Sequence, residues 1–203
     1  MLMKTILRSS TCDETVHSSR FIGWSCRLNH EAELSTMLDR ARSEWPRASH
    51  YAFAYRIEPG NERASDDGEP HASAGLPMLH IIQKRELVQT LVVVIRYFGG
   101  TKLGRGGLVK AYQDICSKSL DQAELRELVS SYQVHVVLDY AQYEIVQHQL
   151  QLKAIHPTAT FLEQVCLDFY CPTDTWEQLY PTLRPLVQHL EHTDACLRVL
   201  PDA

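Results

Sequence analysis

Residues 96–112 read RYFGGTKLGRGGLVKAY, and five of the nine glycines of this 203-residue chain lie among them, at Gly99, Gly100, Gly104, Gly106 and Gly107. The apolar run 91–95 leads into the segment. Behind it Leu108, Ala111, Tyr112, Ile115, Leu120 and Ala123 recur at helical spacing. This order predicts a central strand, a glycine-rich loop and a helix. Such a turn offers unpaired backbone N–H groups and the positive end of a helix dipole, and Lys102 and Arg105 stand beside them. The segment therefore predicts an anion site. Its spacing is not that of a P-loop, because Arg105 and Gly106 stand where Lys and Ser or Thr are needed, which excludes a nucleotidase of that class. The plainer reading is that the glycines only permit tight turns and close packing.

The basic residues gather around the same place. Residues 1–120 hold 16 Lys and Arg against 13 Asp and Glu, whereas 121–203 hold 4 against 12, which together give the net charge of −5. Within 84–110, Lys84, Arg85, Arg96, Lys102, Arg105 and Lys110 face a single acid, Glu86, so a local patch suited to phosphates sits in an acidic protein. Tyr97, Phe98 and Tyr112 flank it. Phe98 is the candidate to stack on a base, since Tyr112 falls on the apolar stripe of the helix.

Outward from this segment the chain reads as two α+β domains, 1–128 and 129–203. In the first, Ile22, Trp24, Cys26 and Leu28 alternate as a strand, followed by Leu34, Met37, Leu38 and Ala41 at helical spacing. Tyr51, Phe53, Tyr55 and Ile57 alternate again, and Pro77 fits the first turn of a helix carrying Met78, Ile81 and Ile82. The apolar face lapses around 126–132, the expected junction. Beyond it, Val134, Val136 and Leu138, then Tyr143, Val146 and Leu150, then Val165, Leu167, Phe169 and Cys171 fit a β-α-β-β-α-β order, although 158–171 lacks a clear turn between two strands. A capping-box pattern at Asp174 and Glu177 opens a last helix whose stripe runs to Leu190, interrupted by Pro181 and Pro185. Leu197 and Val199 are expected to close the sheet.

Composition narrows the functional classes. The six cysteines contain no Cys-x-x-Cys pair and read as small buried hydrophobes in a reducing compartment, with neither a disulfide framework nor a zinc site. His189 and His192 are spaced for one face of a helix end, which two histidines alone do not make a metal site. The apolar runs are too short for a membrane span or a secretory signal, so the expected location is cytoplasmic, with no membrane partner. No cofactor motif is present, and no cofactor is expected.

Four ordered motifs carry a resemblance. These are Ser19-Arg20-Phe21-Ile22, Ala54-Tyr55-Arg56-Ile57, Ser65-Asp66-Asp67-Gly68-Glu69-Pro70 with Ala74-Gly75-Leu76-Pro77, and the stretch 96–112. In this order and spacing they resemble the IMPACT/YigZ family, strongly over 16–123 and through the order of elements thereafter. The resemblance implies an N-terminal domain like the second domain of a small-subunit ribosomal protein and a C-terminal ferredoxin-like sandwich like domain V of elongation factor G. It also implies a translation-linked regulatory role with RNA, the ribosome or a ribosome-associated protein as partner, and no reaction. The binding residues expected are Arg96, Phe98, Gly99, Gly100, Lys102, Arg105, Gly106, Gly107 and Lys110.

A competing reading starts from Asp66, Asp67 and Glu69, three carboxylates within four residues. They are the types that hold Mg²⁺ or serve as a general base, which would make a metal-dependent hydrolase or transferase of a phosphorylated small molecule. Against it stands an Asx-type turn, with Asp66 or Ser65 bonding the local backbone, Gly68 at positive φ and Pro70 stiffening the exit. No catalytic triad or nucleophile elbow is present to support covalent catalysis.

Overall fold

The computed structural model describes residues 3–199. The chain is α+β and divides into two compact units at Glu127/Leu128.

The first unit runs β1 (Lys4–Arg8), β2 (Ser10–Val16), β3 (Ser19–Arg27), α1 (Leu34–Glu44), β4 (His50–Glu58), β5 (Asn61–Ser65), α2 (Gly75–Lys84), β6 (Thr90–Tyr97), α3 (Gly104–Asp121) and β7 (Glu124–Glu127). Five strands form an antiparallel sheet in the order β2-β3-β6-β4-β5, and β1 pairs separately with β7. β6 lies in the middle, as its unbroken apolar run predicts. Its alternate residues serve two cores: Val92 and Val94 pack with α2 and α3 through Met78, Ile82, Leu108, Tyr112 and Ile115, while Leu91, Val93 and Ile95 pack with Leu34 and Ala41 of α1. A strand covered on both faces has no polar side to show, which is why it reads as continuous rather than alternating. The opening β1 and β2 are additions to the sequence-based order, which begins at the next strand.

The second unit runs β8 (Val129–Leu138), α4 (Tyr140–Gln151), β9 (Thr158–Phe161), β10 (Val165–Pro172), α5 (Thr173–Leu183), a 3₁₀ turn at Arg184–Leu186, β11 (His189–His192) and β12 (Cys196–Arg198). The sheet order β11-β8-β10-β9 with this β-α-β-β-α-β sequence is ferredoxin-like. Val134, Val136, Leu138, Leu167 and Phe169 meet Val146 and Leu150 of α4 and Trp176, Leu179 and Leu183 of α5 in one core.

Several expectations are corrected here. The apolar lapse at 126–132 does hold the division between the two units, but with β7 ending at Glu127 and β8 beginning at Val129 it is strand rather than loop. Residues 162–164 supply the turn that 158–171 lacked on paper. Helix α5 is capped by Pro172 with no side-chain hydrogen bond, so Asp174 sits in its first turn rather than at its cap. The helix ends at Leu183, the break expected at its prolines, while Leu186, Val187 and Leu190 beyond it still pack on the same core. His189 and His192 consequently lie on β11, beside β8, and it is β11 that closes the four-strand order, with β12 pairing farther along β8. Cys12, Cys26, Cys116 and Cys171 are buried free thiols, but Cys196 is exposed. No helix among the described residues is long and apolar enough to cross a membrane.

Candidate functional site

The register of the first sheet decides what gathers at its glycine-loop end. Arg96 on β6 lies opposite Phe21 on β3 and His50 on β4. Directly cross-strand residues share a face, so all three point to the side covered by α2 and α3. Arg96 is buried there, and its Nη1 donates to Glu69 Oε1 at 2.7 Å with both side chains 5% exposed or less. Its Nη2 donates to Ser19 Oγ at 3.3 Å, and its guanidinium lies 5.3 Å from the ring centres of both Phe21 and Phe98. Tyr112, from α3, donates its hydroxyl to the same Glu69 Oε1 at 2.8 Å. Burial, followed by the adjacent Glu69 charge, pushes the Tyr112 phenol far above its ordinary range. His50 Nδ1 lies 2.8 Å from the Asp67 carbonyl, an acceptor only, so Nδ1 carries the hydrogen; Nε2 stands 4.0 Å from Glu69 Oε1.

Above this buried network is a pocket of about 430 Å³, lined by His50, Glu69, Pro70, Arg96 and Phe98 from the sheet side and by Lys102, Leu103, Gly104, Arg105 and Leu108 at the start of α3. The helix has no side-chain cap. The N–H groups of Gly104, Arg105 and Gly106, in its first turn, therefore have no intrahelical acceptor and present the positive end of an 18-residue helix. Lys102, Arg105 and Lys110 are exposed. Phe98 is 47% exposed.

The expected binding residues thus fall into distinct roles. Lys102, Arg105, Phe98 and Arg96 line one pocket, Arg96 as a buried support that is already ion-paired. Lys110 is on the same helix but outside the pocket lining. Gly99 is a packing residue: a Cβ there would stand 1.8 Å from the Ser18 carbonyl oxygen. The loop amides of Phe98 and Gly99 are already used, donating to Ser49 Oγ and Ser19 Oγ. Gly100 and Gly104 take positive φ, whereas Gly106 and Gly107 do not. The basic run of the sequence also shrinks, because Arg85 pairs with Asp121 at 2.7 Å and Arg96 with Glu69.

The three carboxylates are spent separately. Asp66 accepts from the N–H groups of Ala72 (2.8 Å), Ala74 and Gly75 (both 2.9 Å), and so caps the start of α2 from a distance. Asp67 accepts from Tyr51 N–H at 2.6 Å. Glu69 belongs to the Arg96 network. This is the turn reading, with positive φ at both Asp67 and Gly68. Among the described residues no three His, Cys, Asp or Glu side chains assemble in a way that could hold a metal ion. Glu69, His50 and Tyr112 as one network with Arg96 escaped the sequence reading; the pairing of positions 50, 96 and 21 across the sheet was the missing signal.

Known proteins resemble this chain in sequence and in fold. Residues 17–120 match the Impact N-terminal domain family, a span that contains every residue of the pocket. The IMPACT family member YvyE of Bacillus subtilis is 35% identical over 159 residues, covering 75% of this chain and 73% of that protein. The IMPACT family member YigZ of Escherichia coli is 34% identical over 116 residues, 55% of this chain and 57% of its own. A solved structure described as that of a hypothetical protein superposes with a TM-score of 0.65 over 100% of this chain and 98% of its own at 24% identity, a likeness of fold.

Proposed function

The chain belongs to the family of the Impact N-terminal domain, and on that premise we propose that it is a translation-linked regulator whose first unit binds RNA, free or in the ribosome. The observation that carries this reading is the mouth of the pocket, where Lys102 and Arg105 flank the uncapped N-terminus of α3 and an exposed Phe98. Cations and free amides hold phosphates, and an exposed aromatic ring accepts a base; together they suit single-stranded or looped RNA better than a duplex. The resemblance to a family of translation regulators supports the same partner. The action is occupancy, with no bond made or broken. The pocket contains a histidine and a glutamate, but Glu69 is committed to Arg96 and Tyr112, which favours a binding role over a metal-dependent one.

Co-sedimentation with ribosomes and with short single-stranded RNA across a salt series tests this. Binding should weaken with salt, and Lys102→Ala/Arg105→Ala should lower the slope of log K against log salt by about 2. Equal binding and equal slopes in the two proteins would overturn this pocket as the RNA site, and no binding to either at low salt would overturn the RNA reading itself and point to a protein partner.

A further inference from the structure

The pocket carries more than a phosphate site at its rim. Glu69 has its Oε1 shared between Arg96 and Tyr112, and its side chain, only 3% exposed, lines the pocket. Arg96, beneath the same pocket, keeps a buried Nε with no acceptor. Buried polar atoms are normally satisfied, and a built cavity with such a group beneath it has room for a partner. The size, about 430 Å³, falls in the range of roughly 300–1,000 Å³ typical of small-molecule sites and admits no duplex.

Resting on the RNA-binding reading, we propose that this pocket takes a single nucleoside 5′-monophosphate unit lifted out of its strand. Its phosphate meets Lys102, Arg105 and the free N–H groups at the start of α3. Its base lies on the exposed side of Phe98, whose ring is already stacked toward the Arg96 guanidinium at 5.3 Å. A hydroxyl or N–H of the same nucleotide donates to Glu69 Oε2, an atom that as a carboxylate oxygen can only accept. An anion without a ring or a donor leaves Phe98 and Glu69 unused, so inorganic phosphate alone should bind much more weakly. The same chemistry is offered by a free mononucleotide and by an unstacked residue of RNA.

The experiment is calorimetric titration of the full chain with guanosine and adenosine 5′-monophosphates, inorganic phosphate and the two nucleosides, alongside single-stranded RNA with and without excess mononucleotide. The monophosphates should saturate one site and bind at least tenfold more tightly than phosphate or nucleoside. Phe98→Ala should weaken them about five- to hundredfold, the range expected for one base on one aromatic ring. Competition that lowers RNA binding identifies an RNA nucleotide as the natural occupant; tight mononucleotide binding without competition assigns the pocket to a free nucleotide. RNA binding that persists while no monophosphate binds overturns this inference and leaves the RNA reading intact. Equal affinity for phosphate and monophosphate also overturns it, as does a Phe98→Ala variant that binds like the parent.

Discussion

The two units are both antiparallel sheets backed by helices, yet they are filled differently. Of the nine buried polar or charged residues among those described, Thr5, Ser19, Ser25, Glu69, Ser73, Thr90, Arg96 and Ser119 lie in the first unit and Ser131 in the second. The second unit has an apolar core, chiefly Val, Leu, Phe and Trp, and its sequence carries 3 basic against 9 acidic residues. The first unit carries a buried ion pair under a cationic pocket mouth. Polar groups cost desolvation energy to bury, so a fold that could be dry, as the second unit shows, keeps them where they position something. In the first unit Arg96, Glu69 and Ser19 form the hydrogen-bonded floor of the candidate pocket.

The strongest way to break this comparison is to remove one half of the pair. Arg96→Ala leaves Glu69 charged and buried beside Tyr112, and should destabilise the first unit by about 3–5 kcal/mol. Replacing the pair as a unit, with Arg96→Met and Glu69→Gln together, should recover much of that loss, because no uncompensated charge remains. Urea denaturation followed by intrinsic fluorescence measures both. A near-neutral Arg96→Ala would mean that the network is incidental and the contrast between the units is one of composition only.

The loop offers a smaller and more local perturbation. At Gly99 any side chain drives into the Ser18 backbone, which is held by the β2–β3 hairpin, so Gly99→Ala should cost about 1–3 kcal/mol or more. Gly106→Ala, with open space around the added Cβ and no positive φ, should be close to neutral or slightly stabilising. Thermal melts of the two variants side by side separate a glycine required by packing from one that is not. Similar melting shifts would contradict the close approach seen at Ser18.

How much of this was legible in the sequence follows the same division. The dry core of the second unit and the two-faced β6 are visible because burial imposes a period on Val134, Val136 and Leu138 or an unbroken run on 91–95. Strands β1 and β2 are not visible: STCDETV buries only Cys12, and the strand exists because it pairs with β3, while Lys4–Arg8 is held by residues 124–127. Strand β11, reading HLEH, is likewise specified by β8 rather than by its own composition. At the site, the rim cations could be read from local sequence. The Arg96–Glu69 pair could not, since 27 residues separate the partners and a charge run gives no hint of which member is buried.

The last contrast concerns acid. In the first unit Asp66 replaces a local helix cap by reaching back from the 65–70 turn to three backbone N–H groups at and before the start of α2. Burial raises its pKa, but the hydrogen bonds from Gly75, Ala74 and Ala72, with His71 nearby, outweigh that and leave it below the ordinary carboxylate value. A carboxyl depressed in the folded state binds its proton more readily when unfolded. Its contribution is therefore complete above the unfolded value of about 3.9 and is lost as pH falls through the lower folded value. Asp66→Asn keeps an acceptor oxygen but removes the charge, so it should lower stability at neutral pH and flatten the decline of stability below pH 4. Helix α5 of the second unit, by contrast, is entered from Pro172 without any side-chain cap. Denaturant midpoints from pH 2.5 to 7 read this directly, and an unchanged acid limb in Asp66→Asn would show that the cap of α2 does not depend on charge.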